Sequence, residues 1–336
     1  MGNNEAVIKV QNLRKWFPVR RTIGQVLLRK PKLYVKAVDG IEFAIRPKEI
    51  FGLAGESGSG KTTTGKVVLG LYRPTTGKVL FRGIDIFSLR GKDLKILRRK
   101  LQLIFQDPYE SLNPRIKIYD TLAEPLKIHH LVDSRDELDE RIYKALEDVK
   151  LTPPDEFAER YPHELSGGQR QRVAIARALI LNPEFIVADE PVSMLDVSIR
   201  AGVLRLLMEL RDKYNVSMLY ITHDLALAGI VTDRLAIMYL GKIVELAETT
   251  ELLTDPMHPY AQALISAVPI PDPTLKRERI ILKGEPPSPI FIPSGCRFWP
   301  RCPYAFDRCR KEEPELKEVK PGHYVACHLY DEKEGG

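Results

Sequence analysis

The sequence predicts an α/β fold in which helices pack on a mostly parallel sheet, and three stretches carry this prediction. The apolar run 50–54 leads into a glycine-rich loop and then into a helix-like segment at 63–71. Two further apolar runs, 185–188 and 216–222, each stop at polar side chains, which is typical of buried parallel strands that end at a ligand crevice. Apolar residues at helical spacing in 142–149 predict one of the helices that cover such a sheet.

The glycine-rich loop, residues 55–62, matches the pattern G-x-x-x-x-G-K-[ST] of a phosphate-binding loop. Its glycines let backbone N–H groups turn inward around phosphate oxygens, and the following helix points its positive end at the same anion. Lys61 would reach the β- and γ-phosphates, and Thr62 would place its hydroxyl on Mg²⁺. The pattern therefore predicts binding of a nucleoside triphosphate through Gly55, Ser57, Gly58, Ser59, Gly60, Lys61, Thr62 and Thr63.

Composition limits the class of protein. The 336 residues suffice for about two domains, and 44% of them are hydrophobic, enough for an ordinary core. The sequence has no run of 18 or more apolar residues and no apolar leader at its N-terminus, so we expect a cytoplasmic protein without a transmembrane helix. A net charge of +6 permits anionic partners without selecting nucleic acid over a membrane surface.

Strand-like runs at 6–17, 34–45 and 78–86 lie on either side of the phosphate-binding loop and predict a small antiparallel sheet. Phe17, at the end of the first run, is the predicted adenine-stacking residue, and Trp16 and Tyr34 are the alternates. Ordinary packing of these aromatic rings in the sheet is an equally weighted interpretation.

Three later predicted strands end in polar side chains, at Gln106, at Asp189-Glu190 and at His223. A glutamine there can reach Mg²⁺ or an attacking water, although alone it is more simply a polar residue at a turn. Asp189 would hold Mg²⁺ through water, and Glu190 would orient or polarise the attacking water. Because the carboxyl ends of parallel strands share one edge of a sheet, we expect these side chains at the crevice of the phosphate-binding loop.

A mostly helical segment at 109–165 is predicted as an insertion into the α/β core. The run Leu165-Ser166-Gly167-Gly168-Gln169 then opens a helix that continues to Leu181. Ser-Gly-Gly at a helix N-terminus predicts a second anion site of the same type as the first. Taken in isolation, the run is also explained as a glycine-rich helix cap.

The order of these motifs resembles that of ATP-binding cassette (ABC) ATPases, over about residues 6–265. The phosphate-binding loop, Gln106, the LSGGQ run, Asp189-Glu190 and His223 together are far more specific than any one of them. The resemblance implies a P-loop NTPase core with an antiparallel β subdomain and a helical subdomain. It also implies ATP hydrolysis in which Glu190, His223 and Gln106 are catalytic and Thr62, Gln106 and Asp189 hold Mg²⁺.

The resemblance further implies that two such chains pair head to tail. Residues Ser166, Gly167, Gly168 and Gln169, called the signature below, would serve the ATP held by the other subunit. Ser193 and Asp196 would contact that subunit. Val192 and Met194 depart from the family, which more often has Thr and Ala there, and this departure concerns the coupling of the subunits rather than hydrolysis.

The C-terminal part narrows the resemblance to the ATPase subunits of dipeptide/oligopeptide importers, through His258-Pro259-Tyr260, 267–269 and 284–289. We expect a nucleotide-binding domain at 1–265, with its helical subdomain at about 107–168, and a Pro-rich, Cys-rich extension at 266–336.

The resemblance implies a peripheral motor on the cytoplasmic face of the membrane, bound to permease subunits. The second ATPase subunit of the transporter would be a paralogue of this chain, as is usual in the family. An extracellular solute-binding protein would be an indirect partner. Di- and oligopeptides are the usual cargo, with oligosaccharides or nickel as alternatives.

Two other classes of function are weighed against this one. Soluble cassette ATPases that act on ribosomes usually carry two cassettes, and those that act on DNA usually carry a long insertion in the cassette; this sequence has neither, and no nucleic-acid partner is expected. A regulatory cassette without activity predicts the loss of the lysine or the glutamate, but Lys61 and Glu190 are both present.

All four cysteines lie in the extension with the spacing C-x₅-C-x₆-C-x₁₇-C: Cys296, Cys302, Cys309 and Cys327. A reducing cytoplasm disfavours disulfides, and four thiolates in a segment with little apolar core predict a metal site. Structural zinc sites typically use tight C-x₂₋₄-C pairs, so the looser spacing favours a [4Fe–4S] cluster. The resemblance agrees, since some dipeptide-importer ATPases carry such a cluster here. Zn²⁺, with His323 and His328 as substitute ligands, and free thiols are the alternatives.

Overall fold

The structure is a computed structural model that describes residues 6–21, 28, 31–107, 111–268 and 279–331. Its strands are β1 (Ile8–Pro18), β2 (Tyr34–Ile45), β3 (Ile50–Ala54), β4 (Thr76–Phe81), β5 (Ile84–Asp85), β6 (Leu101–Ile104), β7 (Phe185–Asp189), β8 (Ser217–Thr222), β9 (Arg234–Tyr239), β10 (Lys242–Glu248), β11 (Lys317–Lys320) and β12 (His323–Val325).

The α-helices are α1 (Lys61–Val68), α2 (Gly91–Lys100), α3 (Ile118–Ile128), α4 (Arg135–Asp148), α5 (Pro154–Glu159), α6 (Gly167–Leu179), α7 (Val197–Tyr214), α8 (Leu225–Val231), α9 (Thr249–Thr254), α10 (Pro259–Ser266) and α11 (Asp307–Lys311). Short 3₁₀ turns lie at Pro162–Glu164 and His328–Tyr330. Within the described ranges, every helix is too short or too polar to span a membrane. This mixture of strands and helices confirms the predicted α/β class.

The chain divides into two compact units. The first unit consists of Met1–Ile8, Ile45–Ile50 and Leu80–Ile221. The second unit consists of Lys9–Ala44, Phe51–Val79 and Thr222–Gly336.

The first unit is built on the parallel strands β6, β7 and β8, with β7 in the middle. All residues of β7 and β8 are buried, because strands covered on both faces need apolar side chains throughout. The helices α3, α4 and α5 lie between β6 and the signature, which confirms the predicted helical insertion. In α4 the buried residues Leu138, Ile142, Ala145 and Leu146 form the stripe that the apolar spacing predicts.

The single strand predicted at 78–86 is two strands in the structure. Arg82 and Gly83 both have positive φ, 47° and 81°, which is the backbone of a tight hairpin turn. β4 and β5 therefore pair antiparallel, with Phe81 opposite Ile84. In the second unit, β1 lies between β2 and the beginning of β4.

The second unit has a mixed sheet in the order β11-β12-β10-β9-β3. β3 is parallel to β9, whereas β9 and β10 form the predicted hairpin that turns at Gly241. The positive φ angles of Leu240 and Gly241, 41° and 82°, fit this turn. β12 pairs with β10 and β11 with β12, so the extension adds two strands to the edge of this sheet, and no strand pattern in 317–325 predicts them.

An aromatic cluster fastens the extension to the second unit. Phe298 of the extension lies 5.3 Å, between ring centroids, from both Tyr239 of β9 and Tyr260 of α10. The two tyrosine rings are 4.7 Å apart, and all three residues are at most 1% exposed. Packing of this kind holds the residues on either side of Phe298 in fixed positions.

Candidate functional site

The phosphate-binding loop of the second unit has a backbone that only glycine can form at two positions. Gly55 and Gly60 have φ angles of 149° and 109°. A Cβ atom on Gly55 would lie 2.2 Å from the Met238 carbonyl oxygen, and one on Gly60 would lie 2.0 Å from that of Ala37. The loop is thus pressed against its neighbours on one side, and its glycines are required by that packing.

The loop is less crowded at Gly58. A Cβ atom on Gly58 would have no atom within 4 Å. Lys61, the first residue of α1, donates from Nζ to the carbonyl oxygens of Gly55 (2.7 Å) and Glu56 (2.9 Å) and lies 3.4 Å from Ser59 Oγ. A buried ammonium group in a glycine-lined loop at a helix N-terminus is suited to receive an anion with several oxygen atoms.

One backbone hydrogen bond joins the β9–β10 hairpin to the loop, and a second joins β2 to the same hairpin turn. The Gly241 N–H donates to the Ser59 carbonyl oxygen at 2.8 Å, and the Asp39 N–H donates to the Gly241 carbonyl oxygen at 2.9 Å. The hairpin turn therefore fixes one end of the loop.

The extension also reaches the loop. Arg301 forms a two-pronged ion pair with Glu56, the residue after Gly55, and the Tyr260 hydroxyl accepts the Glu56 N–H at 3.0 Å. The local sequence does not predict this contact, because Glu56 occupies a variable position of the loop pattern and nothing local connects it to the extension.

In the first unit, the structure brings Gln106 and Glu190 together. Gln106 Nε2 donates to Glu190 Oε2 at 3.2 Å. Glu190 follows β7 with a φ angle of 45°, and its N–H donates to the Ile221 carbonyl oxygen at 2.9 Å. Asp189, the last residue of β7, is buried. A non-glycine residue held in this conformation is costly, and such residues concentrate at functional sites.

The signature forms the beginning of α6. Ser166 Oγ accepts the Gln169 N–H at 3.3 Å, and Gln169 Oε1 accepts the Ser166 N–H at 2.9 Å, which is a capping box. A Cβ atom on Gly168 would lie 2.6 Å from Ile199 Cγ2 of α7, so this glycine allows two helices to approach closely. Gly167 faces Leu195 more loosely, and Asp196 is the cap of α7.

His223 lies in the second unit, where it is exposed between β8 and α8. The next residue, Asp224, caps α8 by accepting the N–H groups of Ala226 and Leu227 at 3.0 and 3.2 Å. The cap fixes the backbone at the end of the strand and so sets the starting point of the histidine side chain.

The three aromatic candidates for adenine stacking differ in their partners. Phe17 packs edge-on against Tyr72, with ring centroids 5.6 Å apart. Trp16 donates from Nε1 to Asp39 at 3.0 Å and contacts Tyr34 at 6.2 Å. A lysine ammonium lies over the rings of both Phe17 (4.8 Å) and Trp16 (4.9 Å), so these contacts do not separate the candidates, and Phe17 stays the predicted stacking residue.

The four cysteines are all free thiols. Burial raises the pKa of Cys327 to about 12, and the other three thiols add to this effect, which indicates that the four groups are neighbours. The Cys296 N–H donates to the Cys309 carbonyl oxygen at 2.8 Å. Across the described parts of the chain, however, no three His, Cys, Asp or Glu side chains are arranged around a common point as ligands of one metal ion.

The two histidines predicted as substitute ligands have other partners. His323 is hydrogen-bonded to Glu245 and Glu251, at 2.7 and 3.0 Å. His328 is hydrogen-bonded to Asp331 and to the Glu312 carbonyl oxygen, at 2.8 and 3.0 Å. Both ring nitrogens of each histidine are therefore hydrogen-bonded to groups of the protein.

Comparison with family models assigns two parts of the chain. Residues 38–193 match the model described as ABC transporter, and residues 244–309 match the model described as oligopeptide/dipeptide transporter, C-terminal region.

Two relatives from Bacillus subtilis (strain 168) cover nearly all of the chain. The putative oligopeptide transport ATP-binding protein YkfD is 52% identical over 301 residues, which are 89% of this chain and 91% of that protein. The oligopeptide transport ATP-binding protein AppF is 48% identical over 332 residues, which are 98% of this chain and 99% of that protein.

Solved structures give the same fold. A dimeric ATP-binding cassette in a post-hydrolysis state, bound to ADP and Pi, matches with a TM-score of 0.62 and 29% identity, and the match covers 72% of this chain and 98% of that chain. The cassette cbiO1 from Clostridium perfringens matches with a TM-score of 0.63, at 24% identity, over 75% of this chain and 92% of that chain. These matches confirm the predicted cassette fold.

Proposed function

This chain belongs to the ABC transporter family, among the oligopeptide transport ATP-binding proteins, and from that premise we propose that it is the ATP-hydrolysing subunit of a peptide importer. The observation that carries the proposal is the Gln106–Glu190 pair at the end of β7, in a chain that also has an intact phosphate-binding loop and the C-terminal region of peptide transporters.

Each group has a part in the proposed hydrolysis. The loop N–H groups and Lys61 would hold the phosphates. Thr62, Gln106 and Asp189 would hold Mg²⁺, which neutralises charge on the phosphoryl oxygens when it is bound. Glu190 would accept a proton from the water that attacks the γ-phosphorus, while Gln106 orients its carboxylate and His223 contacts the γ-phosphate. The space beside Gly58, where a Cβ atom would meet no atom within 4 Å, leaves the loop accessible at that point.

The ATP site is proposed to lie between two subunits. Ser166, Gly168 and Gln169 begin α6, where the helix N-terminus favours an anion. The matched cassette bound to ADP and Pi is described as a dimer, which supports the same arrangement here. Head-to-tail pairing would place the signature of one chain over the phosphate-binding loop of the other, with Ser193 and Asp196 at the contact.

The solute is proposed to be a di- or oligopeptide, because both Bacillus subtilis relatives are named as oligopeptide transport proteins. The chain would bind permease subunits at the cytoplasmic face of the membrane and act with a second ATPase subunit and an extracellular solute-binding protein. Oligosaccharides and nickel are the competing cargoes.

This proposal is tested by isolating the transporter through a tag on this chain. The expected result is a complex with membrane-spanning permease subunits. The solute-binding protein encoded beside them is then titrated calorimetrically with peptides, oligosaccharides and Ni²⁺. Binding of peptides alone would support the proposal, whereas binding of an oligosaccharide or Ni²⁺ alone, or a tagged chain without a permease, would contradict it.

The cysteines are proposed to hold a [4Fe–4S] cluster. Support for this proposal comes from four free thiols in one short segment, at spacings looser than the paired cysteines of structural zinc sites. When bound, a cluster would tie together four positions of the extension. Anaerobic purification should give a brown chain with about four irons and matching sulfide; a colourless chain with one zinc would contradict the cluster.

A further inference from the structure

The extension contacts the phosphate-binding loop through a bidentate ion pair between Arg301 and Glu56. Arg301 Nη1 lies 2.9 Å from Glu56 Oε2, and Arg301 Nη2 lies 3.1 Å from Glu56 Oε1. The Arg301 side chain is 7% exposed and that of Glu56 is 29% exposed. Two parallel N–H···O bonds give this pair a defined geometry that a surface lysine would not give.

The ion pair lies on a buried cluster of aromatic rings. The Arg301 guanidinium lies over the Tyr239 ring, 5.9 Å from its centroid, and Tyr239 packs on Tyr260 and Phe298. The same Tyr260 accepts the Glu56 N–H through its hydroxyl. Both the side chain and the backbone of Glu56 are therefore fixed by one aromatic cluster.

Glu56 is also a partner of the phosphate-binding lysine. Lys61 Nζ donates to the Glu56 carbonyl oxygen at 2.9 Å. A carboxylate in this loop would repel the phosphates of ATP and, if unpaired, would offer Lys61 a competing anion. Arg301 neutralises that carboxylate and holds it against the aromatic cluster, 245 residues further along the chain.

A second arginine supports the loop from its other end. Arg297 is buried, forms ion pairs with Asp39 and Glu313, and donates from Nη1 to the Leu240 carbonyl oxygen. Leu240 begins the hairpin turn whose Gly241 N–H donates to Ser59. The extension thus supports the phosphate-binding loop at both Glu56 and Ser59.

We propose that Arg301 is a positioning residue for ATP binding, which neutralises Glu56 and holds the phosphate-binding loop in the conformation that receives the phosphates. The proposal rests on the proposed function, since it takes ATP as the ligand of this loop. Arg301 does not itself contact the nucleotide in this account; it acts through Glu56.

The test is a double-mutant cycle in the full-length chain, with MgATP affinity measured by titration and KM and kcat measured by steady-state hydrolysis. Arg301→Gln leaves Glu56 as an uncompensated charge and should raise the Kd about tenfold, or about 1.4 kcal/mol. It should raise KM similarly while kcat changes less than about twofold, because the interaction is made equally before and during reaction. Adding Glu56→Gln should restore most of the affinity, since the two residues act as a pair.

Two further variants test whether the loss of affinity is specific to the Arg301–Glu56 pair. Arg301→Lys keeps the charge but loses the forked geometry, so its Kd should lie between those of the wild type and Arg301→Gln. Arg310→Gln removes an exposed arginine of the same extension, whose guanidinium lies 5.1 Å from the Trp299 ring centroid, and should leave the Kd unchanged.

A wild-type Kd in Arg301→Gln, or a double variant whose loss is the product of the two single losses, would overturn the proposal. Should Arg301→Gln unfold, Glu56→Asp shortens the carboxylate on the more exposed side of the pair and should still raise the Kd. Failure of the wild-type chain to bind MgATP would instead refute the proposed function.

Discussion

Glu190 stands out at the scale of single residues because its backbone is held where L-amino acids rarely lie. Its φ angle is 45°, its N–H is bonded to Ile221, and its carbonyl oxygen accepts the Ser193 hydroxyl at 3.0 Å. These contacts turn the chain sharply after the buried Asp189 and set the carboxylate beside Gln106. A carboxylate held in one position suits the proton transfer proposed for Glu190.

Substitution of Glu190 by Gln should leave MgATP binding intact and lower turnover at least about a hundredfold, the range expected for a positioned acid–base group. The matched control is Glu184→Gln, just before the other end of β7, where the carboxylate pairs with Arg82 and Lys100. Steady-state hydrolysis separates the two variants. Near-normal turnover in Glu190→Gln would mean that another group positions the water.

At the scale of elements, the extension is joined to the sheet through a buried charged group. His323 of β12 and Glu245 of β10 are both 0% exposed at their side chains and lie 2.7 Å apart. Glu245 also accepts the N–H groups of Met257 and His258, each at 2.8 Å. The hydrogen bond to Glu245, with a further one to Glu251, raises the pKa of His323 above its usual value.

This pair predicts a pH dependence of stability. Because the pKa of His323 is higher in the folded chain than in the unfolded chain, its contribution is complete below about pH 6.5 and is lost as the pH rises through the folded pKa. Urea unfolding should therefore show a stability difference between wild type and His323→Gln that is largest at pH 6 and smaller at pH 9. A difference that is constant or grows with pH would contradict the assignment.

Local sequence patterns predict the helices and strands that carry the candidate site, but they do not predict the contacts between residues far apart in the chain. The strand–loop–helix at β3 and α1, the strand before Asp189 and the hairpin at Gly241 are each specified by neighbouring residues, and the structure contains them. The Arg301–Glu56 pair joins residues that are far apart in the chain, so no local sequence pattern predicts it. The strands β11 and β12 have only four and three residues, too few to show an alternating pattern, and they form by pairing of β12 with β10 and of β11 with β12.

At the scale of the whole chain, the groups proposed for ATP chemistry are divided between the two units. The second unit contains Phe17, the phosphate-binding loop, His223 and the extension. The first unit contains the Gln106–Glu190 pair and the signature. The helical insertion α3–α5 precedes the signature within that unit. The proposed assignment of the signature to a neighbouring chain's ATP therefore has to be tested by experiment on the assembled subunits.

The most direct test of this account is a photo-cross-linking measurement in the Glu190→Gln variant with bound MgATP. A photoreactive amino acid replaces Ser166, and the cross-linked peptides are identified by mass spectrometry in the isolated transporter. The account predicts cross-links between subunits, from the signature of this chain to the phosphate-binding loop of its partner, that depend on MgATP. Cross-links only to residues 55–62 of the same chain would contradict the shared site.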